Sequence, residues 1–160
     1  MSVNELDYRG IAINLLIGGV INFGALIFLD MTVYSIMGWI YRSFGIYGVL
    51  AFEEAQNAYY IIRLGTVFLS SGFLGGLYAG YKIKENLRVI MAFPGLIGLL
   101  LTLTLQFFLR TLSIQHLFGL VKNVIIPLMV LISGSYLGGY TLNWRIEEKP
   151  KEERISLISA

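Results

Sequence analysis

Four long stretches of this 160-residue chain, residues 11–29, 64–81, 89–109 and 123–144, contain no Asp, Glu, Lys, Arg or His. A helix rises about 1.5 Å per residue, so each stretch is long enough to cross a hydrocarbon layer of about 30 Å. One charged side chain at the centre of such a layer costs roughly 2.5–3.5 kcal/mol to insert, and these stretches carry none. The sequence therefore predicts an all-α integral membrane protein: four transmembrane helices forming two antiparallel hairpins. Residues 1–144 make a single membrane domain, residues 30–63 an outer helical extension between the first two spans, and residues 145–160 a charged cytoplasmic tail.

The balance of residue types agrees. The chain is 56% hydrophobic and 14% charged, where a soluble domain averages about 45–50% and about 25%. With no cysteine there is no disulfide, thiolate metal site or Cys nucleophile. A net charge of +2 gives no argument for nucleic acid as a partner. Glu5, Asp7 and Arg9 precede a first apolar stretch of full length, so that stretch is expected to stay as a signal anchor rather than be cleaved.

Basic residues set the expected orientation. Arg9, Lys82, Lys84, Arg88, Arg145, Lys149, Lys151 and Arg154 fall on the side of the two termini, against Arg42, Arg63, Arg110 and Lys122 opposite. The positive-inside rule then places both termini in the cytoplasm, in the cell membrane. Tyr78, Tyr81, Tyr140 and Trp144 would form the cytoplasmic aromatic belt, and Tyr34, Trp39, Tyr59 and Tyr60 the outer one.

The chain also repeats itself. The segment from Leu74 to Glu85 aligns without a gap on that from Leu137 to Glu148, sharing Leu-Gly-Gly, an aromatic, a base, Ile and a closing Glu. Both copies end an even-numbered span, as two hairpins related by an axis along the membrane normal would have it. Convergence on small residues, an aromatic anchor and a base at a span end explains the same match.

Between the first two spans, Val33, Ile36, Met37, Ile40 and Phe44 recur at helical spacing, and Glu53-Glu54 open a further helix. Two pictures fit this outer segment: a longer upright hairpin turning near Gly45–Gly48, or a helix over residues 31–44 lying flat in the interface. The second connection, residues 110–122, carries Leu112, Leu117, Phe118 and Val121 on one side.

Apolar side chains gain little by meeting one another in lipid, so helix association there relies on close backbone approach and polar contacts. Every span has a stripe that suits this. The second carries Gly72, Gly76 and Gly80 with Ser71, Gly75 and Ala79; the fourth has Gly134 and Gly138 with Ser135 and Gly139. The first has Asn14, Gly18 and Asn22 at four-residue steps, and the third Gly95, Gly98, Thr102 and Gln106. The glycines Gly18, Gly72, Gly75, Gly76, Gly80, Gly134, Gly138 and Gly139 are the expected packing residues.

The amides and hydroxyls have two readings. As interhelical glue they satisfy groups that would otherwise cost about several kcal/mol in hydrocarbon. As a pathway, Asn14, Asn22, Thr102, Gln106, Ser135 and Asn143 would line a neutral polar route through the bundle or an oligomer. Pro94 and Pro127 fall in early turns, as helix starts or kinks.

Familiar chemical constellations are missing from the sequence. His116 stands alone, so no multi-histidine metal site or Ser-His-Asp triad can form within one chain. Glu53 and Glu54 diverge by about 100° on a helix and suit a solvated helix start. Asp30 with Arg63 makes a plausible structural ion pair. No P-loop, GxGxxG, HExxH or GxSxG occurs, and no acid lies within a span where a proton-coupled exporter needs one. The tail holds Pro150 and closes with Ile155, Leu157 and Ile158, as a disordered end or a docking peptide. The sequence points to a non-catalytic, cofactor-free membrane protein that self-associates or serves as a small subunit of a larger complex. The alternative is a small oligomeric transporter or channel using the polar route.

Overall fold

The computed structural model describes residues 8–44, 53–83, 88–109 and 117–148, and all of their regular structure is helical. Helix α1 spans Tyr8–Ser43 without interruption. Helix α2 (Glu53–Ile62) passes through a π-helical turn, Arg63–Phe68, into α3 (Leu69–Lys82). A 3₁₀ turn, Arg88–Ala92, leads into α4 (Phe93–Phe108). Helix α5 (Leu117–Leu120) passes through a second π-helical turn, Val121–Ile125, into α6 (Ile126–Glu148). Four helices are thereby long and apolar enough to cross a membrane: Tyr8–Ser43, Gln56–Lys82, Val89–Phe108 and Val121–Leu142.

Contacts between small residues fix how these four long helices run. Gly18 lies against Gly75 while Asp30 lies against Arg63, so the first and second are antiparallel. Gly18 meets Pro94 and Asn22 meets Gly98, so the first and third are parallel. Gly95 meets Leu131 and Met91 meets Gly139, so the third and fourth are antiparallel.

The second and fourth helices, also parallel, make the tightest seam. Gly72 faces the Leu131 carbonyl, Gly76 the Ser135 carbonyl and Gly80 the Gly139 backbone, each residue meeting the one 59 positions further on. Gly134 and Gly138 fill the reciprocal role against Leu69 and Phe73. A methyl group at Gly72 would stand 2.5 Å from the Leu131 oxygen, and one at Gly80 2.8 Å from the Gly139 Cα. No β-carbon fits at such distances, so glycine here is required by approach rather than by backbone conformation. Gly18, Gly72, Gly75, Gly76, Gly80, Gly134, Gly138 and Gly139 each lie against another helix of the same chain.

Beneath this seam lie two small apolar clusters. Leu26, Val67, Phe68, Leu99 and Leu131 form the larger, in the half remote from Tyr8. Ala79, Ile83 and Met91, with Ile11 and Leu15 against them, form the other. Only a minor part of each apolar window is buried: 22% in the first helix and 33% in each of the others. Phe28, Leu100, Phe107 and Met129 are among the large apolar side chains left on the surface.

Of the two pictures for the outer segment, the structure has the one in which the first helix continues: residues 31–43 extend α1, with nothing from Asp30 to Arg42 breaking the backbone ladder. At 36 residues that helix is about 54 Å long. The turn expected near Gly45–Gly48, the segment around His116 and residues 149–160 lie outside the described residues. The last helix runs to Glu148, four residues into the segment assigned to the tail; Arg, Ile and Glu are tolerated or favoured in helices, and the first breaker is Pro150. Pro94 sits in the first turn of α4, where its missing N–H has no helical partner to lose.

The seam makes a direct prediction. Gly76→Ala should destabilise the fold by about 1–3 kcal/mol in detergent unfolding, as overpacking does. Gly24→Ala, whose methyl meets nothing within 4 Å, should be neutral or mildly stabilising through helix propensity. Equal effects of the two substitutions would refute the seam.

Candidate functional site

Ionisable side chains of the described core gather in one layer, at the bundle end remote from Tyr8 and Glu148. The Asp30 carboxylate accepts two hydrogen bonds from Arg63, from Nε at 2.7 Å and from an Nη at 2.9 Å, the forked geometry that only arginine offers. The Tyr59 hydroxyl donates to the same carboxylate at 2.9 Å, and Tyr34 packs edge-on against Tyr59 with ring centres 6.0 Å apart. The guanidinium also lies 5.1 Å from the centre of the Phe68 ring. Both acid and base are about three-quarters buried, so each neutralises a charge that would be costly alone. The ion pair anticipated from sequence is present.

Lys122 enters the same layer from the fourth helix. Its ammonium lies 4.9 Å from the centre of the Tyr60 ring. Its backbone is held by an arrangement that starts with a proline. Along the second π turn the Ile126 N–H bonds to the Val121 carbonyl, five residues back. The next bond in that ladder would come from residue 127 to the Lys122 carbonyl, but residue 127 is proline and has no N–H. The Tyr60 hydroxyl donates to that carbonyl instead, at 2.7 Å. A buried carbonyl without a partner is costly, and the tyrosine hydroxyl replaces the bond that the proline removes.

The two π turns, Arg63–Phe68 and Val121–Ile125, lie in the parallel second and fourth helices, and residues of both border one cavity. A π turn inserts a residue and widens the helix, a feature often found beside functional sites. Between them and the third helix lies a cavity of about 150 Å³. Its polar lining is Tyr60, Arg63, Thr102, Gln106, Lys122 and Asn123, above an apolar floor that includes Phe68 and Leu99. Two grooves flank it on the outer side of the same helix pair: one of about 270 Å³ bordered by Tyr60, Ile61, Lys122 and Ile126, and one of about 360 Å³ bordered by Leu64, Gly65, Met129 and Val130.

The polar residues singled out from sequence separate into groups. Asn22, fully buried at the junction with Gly75 and Gly98, donates to the Pro94 carbonyl at 3.1 Å; its own Oδ1 has no partner among the described residues. Ser135, also fully buried, donates to the Met91 carbonyl at 2.6 Å. Both tie the third helix to a neighbour. Asn14 bonds back to the Gly10 carbonyl of its own helix at 2.9 Å. Thr102 bonds back to Gly98 at 2.8 Å and, with Gln106, borders the cavity. The Asn143 side chain lies outside what the structure describes. Tyr60, Lys122 and Asn123 were not anticipated as one site, because their meeting depends on the register of the second and fourth helices. The proline at position 127 was the available signal.

No protein-family model matches the chain, and neither a curated protein nor a solved structure is detectably similar to it.

Tyr60→Phe should destabilise the protein by about 1–3 kcal/mol, the usual effect of leaving one buried polar group unsatisfied. In a Pro127→Ala background, where residue 127 regains its N–H, the same substitution should have a clearly smaller effect. A double-mutant cycle by thermal unfolding in detergent checks this, and additive effects would contradict it.

Proposed function

We propose that the chain is a non-catalytic multi-pass protein of the cell membrane whose four helices span as two antiparallel hairpins. Both termini face the cytoplasm, as the asymmetry of basic residues favours. It acts by associating with other membrane-embedded chains, either its own copies or a larger complex in which it is a small subunit. The membrane setting is supported by charge-free apolar windows of which only a minor part is buried.

The observation that carries the association reading is the far end of α1. Beyond the Asp30–Arg63 pair this helix continues for 13 residues to Ser43. It leaves Ile36, Trp39 and Phe44 exposed, Trp39 at 71%. A plain solvated extension has no use for such side chains. The glycine stripes, by contrast, face one another inside the chain, so they do not supply the contact surface.

A second reading has one observation in its favour. Thr102 and Gln106, two residues of the proposed polar route, border the cavity beside Arg63 and Lys122. Asn22 and Ser135 are engaged at helix junctions, so a route built from these residues would be confined to the distal half of the bundle.

Native mass spectrometry of the protein released from membrane nanodiscs tests the preferred reading. We expect masses above that of a single chain, from further copies or a co-purifying partner, and their loss in Trp39→Arg. Monomers alone, in wild type and variant equally, would defeat it.

A further inference from the structure

We propose that the cavity between the two π turns, together with the grooves outside it, is a binding site for one anionic phospholipid. The monoanionic phosphodiester would sit by Lys122 and Arg63 and an acyl chain would lie along the second and fourth helices.

Charge supplies the first argument. Among the described residues of this layer the charged side chains are Asp30, Arg63 and Lys122, which leaves one uncompensated positive charge. Asp30 and Arg63 neutralise each other through a forked pair. Lys122 has the Tyr60 ring beside it, which attracts a cation without cancelling its charge. A phosphodiester carries one negative charge and matches this surplus, whereas a phosphate dianion overshoots it. The pair with Asp30 also engages only two of the five N–H donors of Arg63.

Space supplies the second. A cavity of about 150 Å³ equals the size of an engineered protein cavity that takes up benzene, ample for a phosphate group. Here hydroxyl, amide and cation stand over an apolar floor of Phe68, Leu99, Leu103 and Pro127, so an anionic group that carries a hydrocarbon fits it.

Position supplies the third and selects a lipid over a free anion. Tyr60 and Lys122 border both the cavity and the first outer groove. The second groove continues one turn further along the same two helices, bordered by Leu64, Leu69, Met129 and Val130. From Asn57 to Leu69 the two grooves cover 12 residue steps, about 18 Å of helix. An apolar furrow of that length running from a cation at the end of a charge-free window suits a headgroup with its chain attached. Gly65 keeps the furrow open, since a methyl group there would meet nothing within 4 Å.

The inference rests on membrane insertion, and the two are told apart because a chain that needs detergent yet retains no lipid loses this site alone. The test is native mass spectrometry of purified protein with phosphatidylglycerol, phosphatidylcholine or inorganic phosphate. One phosphatidylglycerol per chain should be retained at least tenfold better than phosphatidylcholine, and millimolar inorganic phosphate should not displace it. Lys122→Gln should abolish that preference. Gly65→Leu, which fills open space and leaves the fold intact, should lower retention at least fivefold. Equal retention of the two lipids, displacement by inorganic phosphate, or unchanged retention in either folded variant would overturn the proposal.

Discussion

The backbone-to-backbone approach of the second and fourth helices governs the rest of the molecule. In water, two apolar helices associate because burial removes surface from solvent; in hydrocarbon that gain vanishes, and close packing must do the work. Dispersion falls off steeply with distance, so the benefit comes only where backbones themselves touch. Gly72, Gly76 and Gly80 against Leu131, Ser135 and Gly139 give that contact over three successive turns. A seam of this kind has a single register, because sliding one helix along the other would drive a bulky neighbour such as Leu74 or Leu137 into the space of a glycine.

That register then sets the level of everything at the distal end. It brings Arg63 and Lys122 to one cavity and Tyr60 within reach of the Lys122 carbonyl. The first and third helices are fastened to the same pair by Gly18 on Gly75 and by the Ser135 hydroxyl on the Met91 carbonyl. Asn22 closes the junction of three helices. It fits because Gly75 and Gly98 leave room for a planar amide, and it does so with its Oδ1 lacking a partner among the described residues. That orphaned oxygen weakens the fold by roughly 1–3 kcal/mol, against which stand the Nδ2 bond to Pro94 and the close approach of three backbones.

Much of this was legible in the sequence because long charge-free windows and regularly spaced small residues leave few alternatives. Four charge-free windows gave four long helices, and small residues at four-residue steps gave the faces that pack, down to Gly18, Gly76 and Gly138. The Asp30–Arg63 pair followed from two opposite charges at adjoining helix ends. What could not be read was pairing between helices that are distant in sequence. The glycine stripes were legible as contact surfaces, but not that every stripe would find its partner inside one chain. The outer part of α1 was ambiguous because interfacial and upright helices share an apolar pattern, and only the unbroken backbone to Ser43 separates them. The π turns were invisible for a different reason. The second arises where Pro127 and a tertiary hydroxyl from Tyr60 alter the ladder, and the proline alone does not announce it; the first, Arg63–Phe68, has no proline to mark it.

The internal repeat agrees with this register. Two Leu-Gly-Gly segments lying level would put residues 63 positions apart at one height. The glycines of the second helix meet residues 59 positions on, and those of the fourth meet residues 65 positions back, because each glycine packs on a carbonyl that leans toward the C-terminal end of its own helix. The level between these two offsets is 62, the separation of Tyr60 from the Lys122 carbonyl that it bonds, and it lies within one residue of the repeat. The distal end departs from the repeat through its side chains instead. The residues that the repeat would match to Arg63 and Lys122 are Ile126 and Tyr59, so the two cations that border the cavity have no counterparts in the pattern. The small residues that the two copies share hold the helices level, and the side chains that they do not share give the polar end its chemistry.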